Sequence, residues 1–389
     1  MIILKKAKGV CLLLILLFSA PSIATPRSGD AFSISPYLLR KTHDQIHLKF
    51  QISDQTTEEL SFVNSLNGHK IKANKGQLTT LSLEKQICNK PQKMNLLNDK
   101  KVPVFTLNVP PFPCDPEKDV HFIFISDTQK YPQRHHKMAK LLSKRIKNRP
   151  INFIINGGDI VQDGSVESKW KHFLKASTPY SQKIPIVPVL GNHDYWGHDD
   201  MQSNVPLFFK KYLMTKNDHK DGYYALNYPQ FKLIVLNSNF TRLSLRTIDL
   251  QKEWLRKELE KSKNIDQNVV ITFHHSPITS NLFYYGPVSI AMRNSWIPLF
   301  EESGVVKLVL NGHSHLYERS LKNGIMYVVA GPFGGQINFL PKMNNYYRLA
   351  MFPDTETFSF FKVSKRYITM ETYDKNDKMI DQFKIENNL

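Results

Sequence analysis

Residues 120–129 read VHFIFISDTQ, an apolar run that ends in four polar residues, among them Asp127. The run predicts a strand buried on both faces, with Asp127 placed where the strand ends. Four other segments also follow apolar, β-rich runs, and they read GDIV at 158–161, GNHD at 191–194, HHSP at 274–277 and GHSH at 312–315. Because ligands gather at the carboxyl ends of strands in α/β sheets, we expect all five segments to meet in one site.

The five segments offer carboxylate, amide and imidazole donors. Asp127 and Asp159 each follow a predicted strand, and the two glycines before Asp159 allow the backbone to approach a ligand closely. Asn192 adds an amide oxygen, and the imidazole donors are His275, His313 and His315. This set suits borderline metals such as zinc, manganese and iron. An isolated aspartate or histidine is usually structural, but five such segments in order predict a metal site.

The composition is that of an ordinary globular protein with a basic balance. The chain has 389 residues, of which 41% are hydrophobic and 22% charged, and this length allows two domains. Its formal charge of +18 favours anionic partners, including phosphate esters and negatively charged surfaces, although a solvated surface explains the charge equally well. The basic stretch at 137–149 falls on a predicted amphipathic helix, so we expect no specific nucleic-acid recognition.

The first 24 residues have the pattern of a secretory signal peptide. Three lysines at positions 5, 6 and 8 precede the apolar run 10–18, and residues 22–24 (SIA) form a small-x-small cleavage site. The alternative is a membrane anchor, but the apolar run is shorter than the roughly 20 residues that span a bilayer. We therefore expect cleavage after Ala24, a secreted or periplasmic location and no stable membrane span.

Cleavage at this position leaves two of the three cysteines. Cys11 lies in the signal peptide, whereas Cys88 and Cys114 remain in the exported chain. Two cysteines in an exported protein favour a single disulfide, with two free thiols as the alternative. Cleavage also removes three lysines and no acidic residue, which lowers the formal charge from +18 to +15.

The remaining chain divides into a β-rich part and an α/β part. Residues 25–114 contain short alternating strands with turn signals at Asn67-Gly68 and Lys75-Gly76, which predict a small β-sandwich followed by a proline-rich linker at 109–113. In residues 115–389 apolar strands alternate with amphipathic helices, which predicts a layered α/β domain. The strands expected there include 151–155, 269–273, 305–310 and 325–329, and the helices are 135–146, 166–174 and 248–259.

The order of the motifs over residues 120–320 resembles the calcineurin-like metallophosphoesterase family. That family has an aspartate segment, Gly-Asp, Gly-Asn-His-Asp, a histidine and Gly-His-x-His in the same order. Residues 312–319 (GHSHLYER) are most similar to purple acid phosphatases, in which the last histidine pair continues into Tyr-Glu-Arg. The resemblance implies an α/β (α+β) fold: a four-layer β-sandwich flanked by helices, with a small N-terminal all-β domain of the immunoglobulin or fibronectin type.

The resemblance also implies a binuclear site for iron, zinc or manganese. Asp127 and His315 would hold the first metal, and Asp159 would bridge both metals. The ligands implied for the second metal are Asn192, His275 and His313. The His-x-Pro pattern selects His275 over the adjacent His274.

The resemblance implies catalytic rather than ligating roles for two further residues. His193 would protonate the leaving-group oxygen or stabilise the transition state, and Asp194 would orient His193. The resemblance implies no covalent nucleophile, because a hydroxide that bridges the two metals would attack phosphorus in line.

Two positions depart from the family pattern. The first motif commonly reads Asp-x-His, but position 129 is glutamine, which either binds the first metal as a weaker donor or hydrogen-bonds a metal-bound water. Purple acid phosphatases have a tyrosine ligand three residues after the bridging aspartate, where this chain has Gln162. Without a tyrosinate ligand, we expect the purple charge-transfer colour to be absent.

These observations predict an exported metal-dependent phosphoesterase with a small phosphate-ester substrate. Hydrolysis of phosphate monoesters, as in acid phosphatases, is the leading hypothesis. A phosphodiesterase that acts on nucleotides or lipid headgroups is the alternative. A non-catalytic anion-binding protein is a third reading, and the presence of His193 and nearly all of the ligand set speaks against it.

Overall fold

The computed structural model describes most of the chain from residue 31 onward. The described ranges are 31–40, 45–55, 60–63, 70–72, 74–83, 91–98, 101–197, 205–214, 221–281, 286–337 and 344–387. The predicted signal peptide and Cys88 lie outside them. Cys114 is disulfide-bonded, and its pairing with Cys88 stays a prediction. None of the helices in these ranges has both the length and the apolar character that crossing a membrane requires.

The strands of the described ranges form sheets of nine, seven and four strands. In chain order they are β1 (Phe32–Arg40), β2 (Ile46–Ile52), β3 (Leu60–Val63), β4 (Lys70–Lys72), β5 (Leu78–Leu83), β6 (Gln92–Asn98), β7 (Pro103–Val109), β8 (Val120–Ile125), β9 (Phe153–Asn156), β10 (Ile186–Pro188), β11 (Tyr224–Asn227), β12 (Lys232–Val235), β13 (Val269–Thr272), β14 (Val306–Asn311), β15 (Tyr317–Lys322), β16 (Ile325–Val329), β17 (Arg348–Phe352), β18 (Thr357–Val363), β19 (Tyr367–Asp374) and β20 (Met379–Glu386). The sheet orders are β20-β19-β18-β8-β9-β10-β1-β2-β5, β11-β12-β13-β14-β16-β15-β17 and β4-β3-β6-β7.

Helices connect the strands of the two large sheets. They are α1 (Pro132–Arg145), α2 (Glu167–Ser181), α3 (Leu207–Leu213), α4 (Leu245–Lys263), α5 (Pro287–Ser295) and α6 (Ile297–Ser303), with short 3₁₀ turns at Ile146–Asn148 and His193–Tyr195. Helix α1 has proline in its first turn and Lys144 and Arg145 in its last turn, both of which suit the ends of a helix.

The two large sheets pack face to face, and helices cover both outer faces. In β8, Phe122 and Phe124 face the second sheet, whereas Ile123 and Ile125 face α1 and α2. This alternation is the period of two that a strand imposes, and it explains why a strand buried on both faces is apolar throughout. Helices α4, α5 and α6 form the fourth layer against the second sheet. The predicted mixed α/β fold with a four-layer sandwich is confirmed.

The N-terminal part of the described chain is all-β, as predicted, but it shares a sheet with the rest. Strand β1 pairs in parallel with β10, where Leu39 lies opposite Ile186, so β1, β2 and β5 extend the nine-stranded sheet. Their other face packs on β6 and β7 of the small sheet, through residues such as Leu38 and Leu107. The N-terminal sandwich therefore uses one extended sheet and one sheet of its own; a domain boundary at residue 114 stays a prediction.

Candidate metal centre

The candidate ligands lie at the carboxyl ends of strands from both large sheets. Asp127 follows β8, Asp159 follows β9 and Asn192 follows β10, all in the first sheet. The second sheet contributes His274 after β13 and His313 after β14. These strands are parallel within each sheet, so their carboxyl ends reach the same edge, where the two sheets face each other.

Three side chains form a first cluster of candidate ligands. One ligand atom each of Asp127, Asp159 and His315 lies within 4.8 Å of the others. Both carboxylates are almost fully buried, and His315 Nε2 is 3.5 Å from Asp127 Oδ1. Buried charges of like sign are costly unless a cation compensates them, so this arrangement fits a metal ion. The structure thus brings together the ligands that the sequence predicted for the first site.

A second cluster shares Asp159 and adds two histidines. Ligand atoms of Asp159, His274 and His313 also lie within 4.8 Å of one another. His274 Nε2 is 3.2 Å from Asp159 Oδ1. Its Nδ1 is 2.9 Å from the Gly157 carbonyl oxygen, which accepts the proton and leaves Nε2 free to bind a metal. Asp159 belongs to both clusters, which is the arrangement expected of a bridging carboxylate.

The histidine of the second cluster is His274, whereas the His-x-Pro pattern favoured His275. Strand parity explains the difference. Val269, Ile271 and Phe273 face the helices and Val270 faces the other sheet, so His274 continues on the inner side. His275 Nδ1 is 2.9 Å from Ser238 Oγ, and its ring centroid lies 4.4 Å from that of His313, so its predicted place in the ligand set stays a prediction.

The two histidines can be separated by metal content. We expect His274→Ala to lose about one equivalent of bound metal per chain, because a direct ligand is removed. His275→Ala should retain both equivalents with an affinity lowered by about 10–100-fold, the usual cost of losing a group that supports a ligand. Elemental analysis after dialysis measures this, with His136→Ala as the control, since His136 is a half-buried histidine of α1 whose Nδ1 lies 3.1 Å from Ala176 O. Loss of a metal in His275→Ala alone would contradict the assignment.

Two amide oxygens in the site are buried and have no hydrogen-bond partner. They are Asn192 Oδ1 and Gln129 Oε1. A buried unsatisfied oxygen is unfavourable, and a cation satisfies it, so both residues fit the donor set of a metal site. Gln129 Nε2 lies 3.3 Å from Asp159 Oδ2 and 3.2 Å from His315 Nε2, so this amide is at the first cluster. Turning the amide by half a turn would direct Oε1 there instead, so its role as a ligand stays a prediction.

Four of the candidate ligands have left-handed backbone conformations, which are unfavourable for residues with a side chain. The φ angles are 54° for Asp127, 49° for Asp159, 71° for His313 and 53° for His315. Each costs about 1–3 kcal/mol, and such residues cluster at functional sites. Hydrogen bonds between the loops hold them: Asp127 N donates to Gly158 O, and His313 N donates to the Asp127 carboxylate.

Glycine is required where the loops meet. A Cβ at Gly312 would lie 1.9 Å from Ser126 Oγ and 2.7 Å from Asp127 Oδ2. Gly158 has a φ of 101°, and a Cβ there would lie 2.6 Å from His274 Nδ1. Any side chain at either position would push the candidate ligands apart.

Burial and neighbouring charges set the protonation of the histidines. Burial lowers the pKa of His275 to about 3, and the charge of His274 acts in the same direction. Burial also holds the pKa of His313 well below its ordinary value. Burial lowers the pKa of His274 as well, but the Asp159 carboxylate outweighs it and raises this pKa to about 9. Metal binding at the second cluster therefore displaces a proton from His274.

His193 lies beside the bridging carboxylate and is held by Gln162. Its backbone N–H donates to Asp159 Oδ1 at 2.8 Å, and its Nε2 is 3.9 Å from Asp159 Oδ2. Its Nδ1 is 3.1 Å from the Gln162 carbonyl oxygen, which only accepts, so Nδ1–H donates to this oxygen and Nε2 faces the site. The Gln162 side chain contacts the same nitrogen. The sequence offered no signal for this contact.

Asp194 holds backbone loops rather than the His193 ring in the described structure. Its carboxylate accepts hydrogen bonds from the backbone N–H groups of Ile160, Val161 and Gly191, at 2.9–3.1 Å. Burial, followed by the charge of Asp159, raises the pKa of Asp194 to about 8, while the N–H groups of Gly191 and Val161 oppose the rise. Gln162 rather than Asp194 contacts the His193 ring, and the orienting role of Asp194 stays a prediction.

The side chains of the Tyr-Glu-Arg run after the last histidine pair make hydrogen bonds to segments outside the two ligand clusters. Tyr317 and Arg319 project from one face of β15 and both donate to the Asp381 carboxylate. Glu318 projects from the other face and is fully buried, where it accepts from Ser280 N and from Asn345 Nδ2. Glu318 therefore anchors the loop that follows His274 and His275.

A family model described as calcineurin-like phosphoesterase matches residues 120–317, and the chain belongs to this family. The matched region contains all five ligand motifs, and the recognition made from their order is confirmed. The family is named for phosphoesterases, and the two clusters supply candidate ligand groups for the two-metal site of the superfamily.

Two proteins with sequences similar to this chain have different descriptions. The uncharacterized protein YvnB of Bacillus subtilis is 23% identical over 316 residues, which cover 74% of this chain but only 22% of that protein. A probable cyclic nucleotide phosphodiesterase of Vesicomyosocius okutanii is 25% identical over 217 residues, which cover 55% of this chain and 84% of that protein.

Solved structures with low sequence identity share the fold. Purple acid phosphatase PPD1 from yellow lupin has a TM-score of 0.71 at 15% identity, covering 90% of this chain and 74% of that chain. The structure of PhoD has a TM-score of 0.65 at 11% identity, covering 90% of this chain and 92% of that chain. Both matches extend over the N-terminal strands as well as the family region.

Proposed function

We propose that the protein is an exported phosphoesterase that hydrolyses phosphate monoesters with the help of two metal ions, each iron, zinc or manganese. The observation that carries the proposal is the position of Asp159. Its carboxylate belongs to both ligand clusters, and His193 Nε2 lies 3.9 Å from one of its oxygens. A candidate bridging ligand and a candidate proton donor are therefore adjacent.

The residues that would hold the metals follow from the clusters and from the unsatisfied oxygens. One cation would be held by Asp127, Asp159 and His315, with Gln129 as an additional donor. The other would be held by Asp159, His274, His313 and Asn192. When bound, two such cations supply an activated water and positive charge for the phosphoryl oxygens.

The protein's own residues supply the proton and the positioning. We assign to His193 the transfer of a proton to the leaving-group oxygen, a step typically worth about 10²–10⁴-fold in rate. The Gln162 carbonyl fixes the ring so that Nε2 faces Asp159. Asp194 fixes the loop that carries His193 through its bonds to Ile160, Val161 and Gly191.

Phosphodiester hydrolysis is a second candidate, favoured by the probable cyclic nucleotide phosphodiesterase among the similar proteins. Monoesters and diesters differ in whether a second ester group must fit beside the metals. The two are separated by measuring kcat/KM of the metal-loaded mature protein for p-nitrophenyl phosphate and bis(p-nitrophenyl) phosphate, which share one leaving group. We expect the monoester to be preferred. Preference for the diester would replace the proposal with phosphodiesterase activity, and turnover of neither would favour an anion-binding protein.

Export is supported by the signal-like N-terminus and tested separately. Mass spectrometry of the full-length chain expressed in a bacterium should find mature protein that begins at Thr25, outside the cytoplasm. Intact Met1 in a cytoplasmic product would overturn this part of the proposal.

A further inference from the structure

Trp196 places an exposed aromatic ring beside the proposed proton donor. The chain bends after the 3₁₀ turn His193–Tyr195, and the indole of Trp196 returns over the His193 ring. The two ring centroids are 3.7 Å apart with an interplanar angle of 39°. Even so, Trp196 remains 43% exposed, whereas Trp170 and Trp296 are fully buried.

The backbone of Trp196 is held from both sides. Its N–H donates to the His193 carbonyl oxygen, and its own carbonyl accepts from Ser165 N, each at 3.1 Å. The next residue, Gly197, has a φ of 73°, and a Cβ there would lie 2.0 Å from Ser165 Oγ. The backbone contacts thus fix Trp196 beside His193, while nearly half of its surface stays exposed.

The geometry of the proposed reaction indicates which part of a substrate can reach the indole. His193 contacts both neighbours, because its Nε2 is 3.9 Å from Asp159 Oδ2 and its ring packs against the indole of Trp196. In the proposed reaction the phosphoryl group would lie at the metals, and His193 would protonate the oxygen that leaves. The group attached to that oxygen would therefore lie next to His193, within reach of the exposed indole.

We propose that Trp196 is a substrate-binding residue that stacks on an aromatic ring in the leaving group, so that the enzyme prefers esters of nucleosides or aryl alcohols. This inference rests on the proposed phosphoesterase function and deepens it. Stacking on a fixed indole costs little conformational entropy, because the tryptophan backbone is already immobile. The indole needs no particular hydrogen-bonding pattern, so it selects for flat rings rather than for one base.

The test compares substrates that have and lack the ring. Adenosine 5′-monophosphate and ribose 5-phosphate share the same primary leaving oxygen and differ in the base, and phenyl phosphate tests an aryl ring. We expect Trp196→Leu to lower kcat/KM for the ring-bearing substrates by at least about fivefold and to leave ribose 5-phosphate unchanged. Trp196→Phe should recover most of the loss. A loss for the adenosine ester alone identifies a nucleoside site, and a loss for phenyl phosphate alone identifies an aryl site.

The control is Tyr367→Leu, which removes another exposed ring. Tyr367 is the first residue of β19, and it lies at the opposite end of the strands of the nine-stranded sheet from Asp127. We therefore expect no change in kcat/KM for any of the substrates. An equal loss for ribose 5-phosphate and the ring-bearing esters in Trp196→Leu would overturn the proposal, because Trp196 would then act only through His193. Unchanged kinetics for all three would overturn it too.

Binding separates this inference from the proposed function. The affinity of the metal-loaded protein for adenosine 5′-monophosphate and ribose 5-phosphate is measured by isothermal titration calorimetry. If the parent hydrolyses nothing but binds the adenosine ester more tightly, and Trp196→Leu removes the difference, the inference stands and the proposed hydrolysis fails. If hydrolysis occurs and Trp196→Leu changes neither binding nor turnover, the proposed function stands and the inference fails.

Discussion

Replacing Asp159 by asparagine is expected to lower turnover by about three orders of magnitude or more while leaving the fold intact. A neutral amide at this position cannot bridge two cations as a carboxylate does, and the metals supply several kcal/mol of transition-state stabilisation. Each 1.36 kcal/mol lost is a tenfold loss of rate. Steady-state kinetics with p-nitrophenyl phosphate and elemental analysis on the same sample measure the effect.

The control for this variant is Asp119→Asn. Asp119 precedes β8, pairs with Lys362 at 3.4 Å and lies at the end of the strand away from the site. The same change of charge there should leave turnover and metal content unchanged, and circular dichroism should show equal secondary structure in both variants. Turnover near that of the parent in Asp159→Asn would contradict the role of Asp159 as the shared ligand.

Replacing His193 by alanine is expected to lower turnover by about 10²–10⁴-fold with both metals still bound, because general acid catalysis has this size and we propose His193 as a proton donor rather than a ligand. The loss should depend on the leaving group. An alkyl phosphate needs a proton on its departing oxygen, whereas p-nitrophenolate leaves readily without one. The kcat values of the two substrates in the variant and the parent measure this difference.

The control for His193→Ala is His121→Ala. His121 lies near the start of β8, about 20 Å from Asp127 at a rise of about 3.3 Å per residue, so its loss should change neither substrate. An equal loss for alkyl and p-nitrophenyl phosphates in His193→Ala would show that the residue does not donate the proton. Loss of a metal in this variant would make His193 a ligand.

The strands that carry the site were predictable because they are buried on both faces. The apolar runs at 120–125 and 325–329 became β8 and β16 with the same bounds. Such strands have no polar face, so their ends are marked by the first polar or glycine residues, and several of these residues are the candidate ligands and turns of the site. The burial of both faces, which makes the strand apolar throughout, thus also identifies the candidate ligands at its end.

Elements that depend on small residues or distant partners were not predictable in the same way. Helix α2 was expected to end at Leu174 but continues to Ser181, because Ala176, Ser177 and Ser181 pack closely although they carry no apolar periodic signal. The pairing of β1 with β10 joins residues nearly 150 positions apart, and no local pattern specifies it.

Within the site, the sequence predicted ligand types better than it predicted contacts. The period of two along β13 was present in the sequence, and applying it would have placed His274 on the inner face. The contact of Gln162 with His193 had no such signal, because it arises only when the loops after β9 and β10 meet. A contact between two loops can be found only in the structure. The face on which a strand residue lies can be predicted from the period of two in the sequence.

The most direct test of the account is the metal content of the purified mature protein, determined together with its phosphoesterase activity. We predict close to two metal ions per chain and turnover of an aryl phosphate that is lost when a chelator removes the metals and restored when they return. One metal or none, with no turnover after zinc, manganese or iron is added, would contradict a binuclear catalytic site and point to Gln129 as the residue that disables the first cluster.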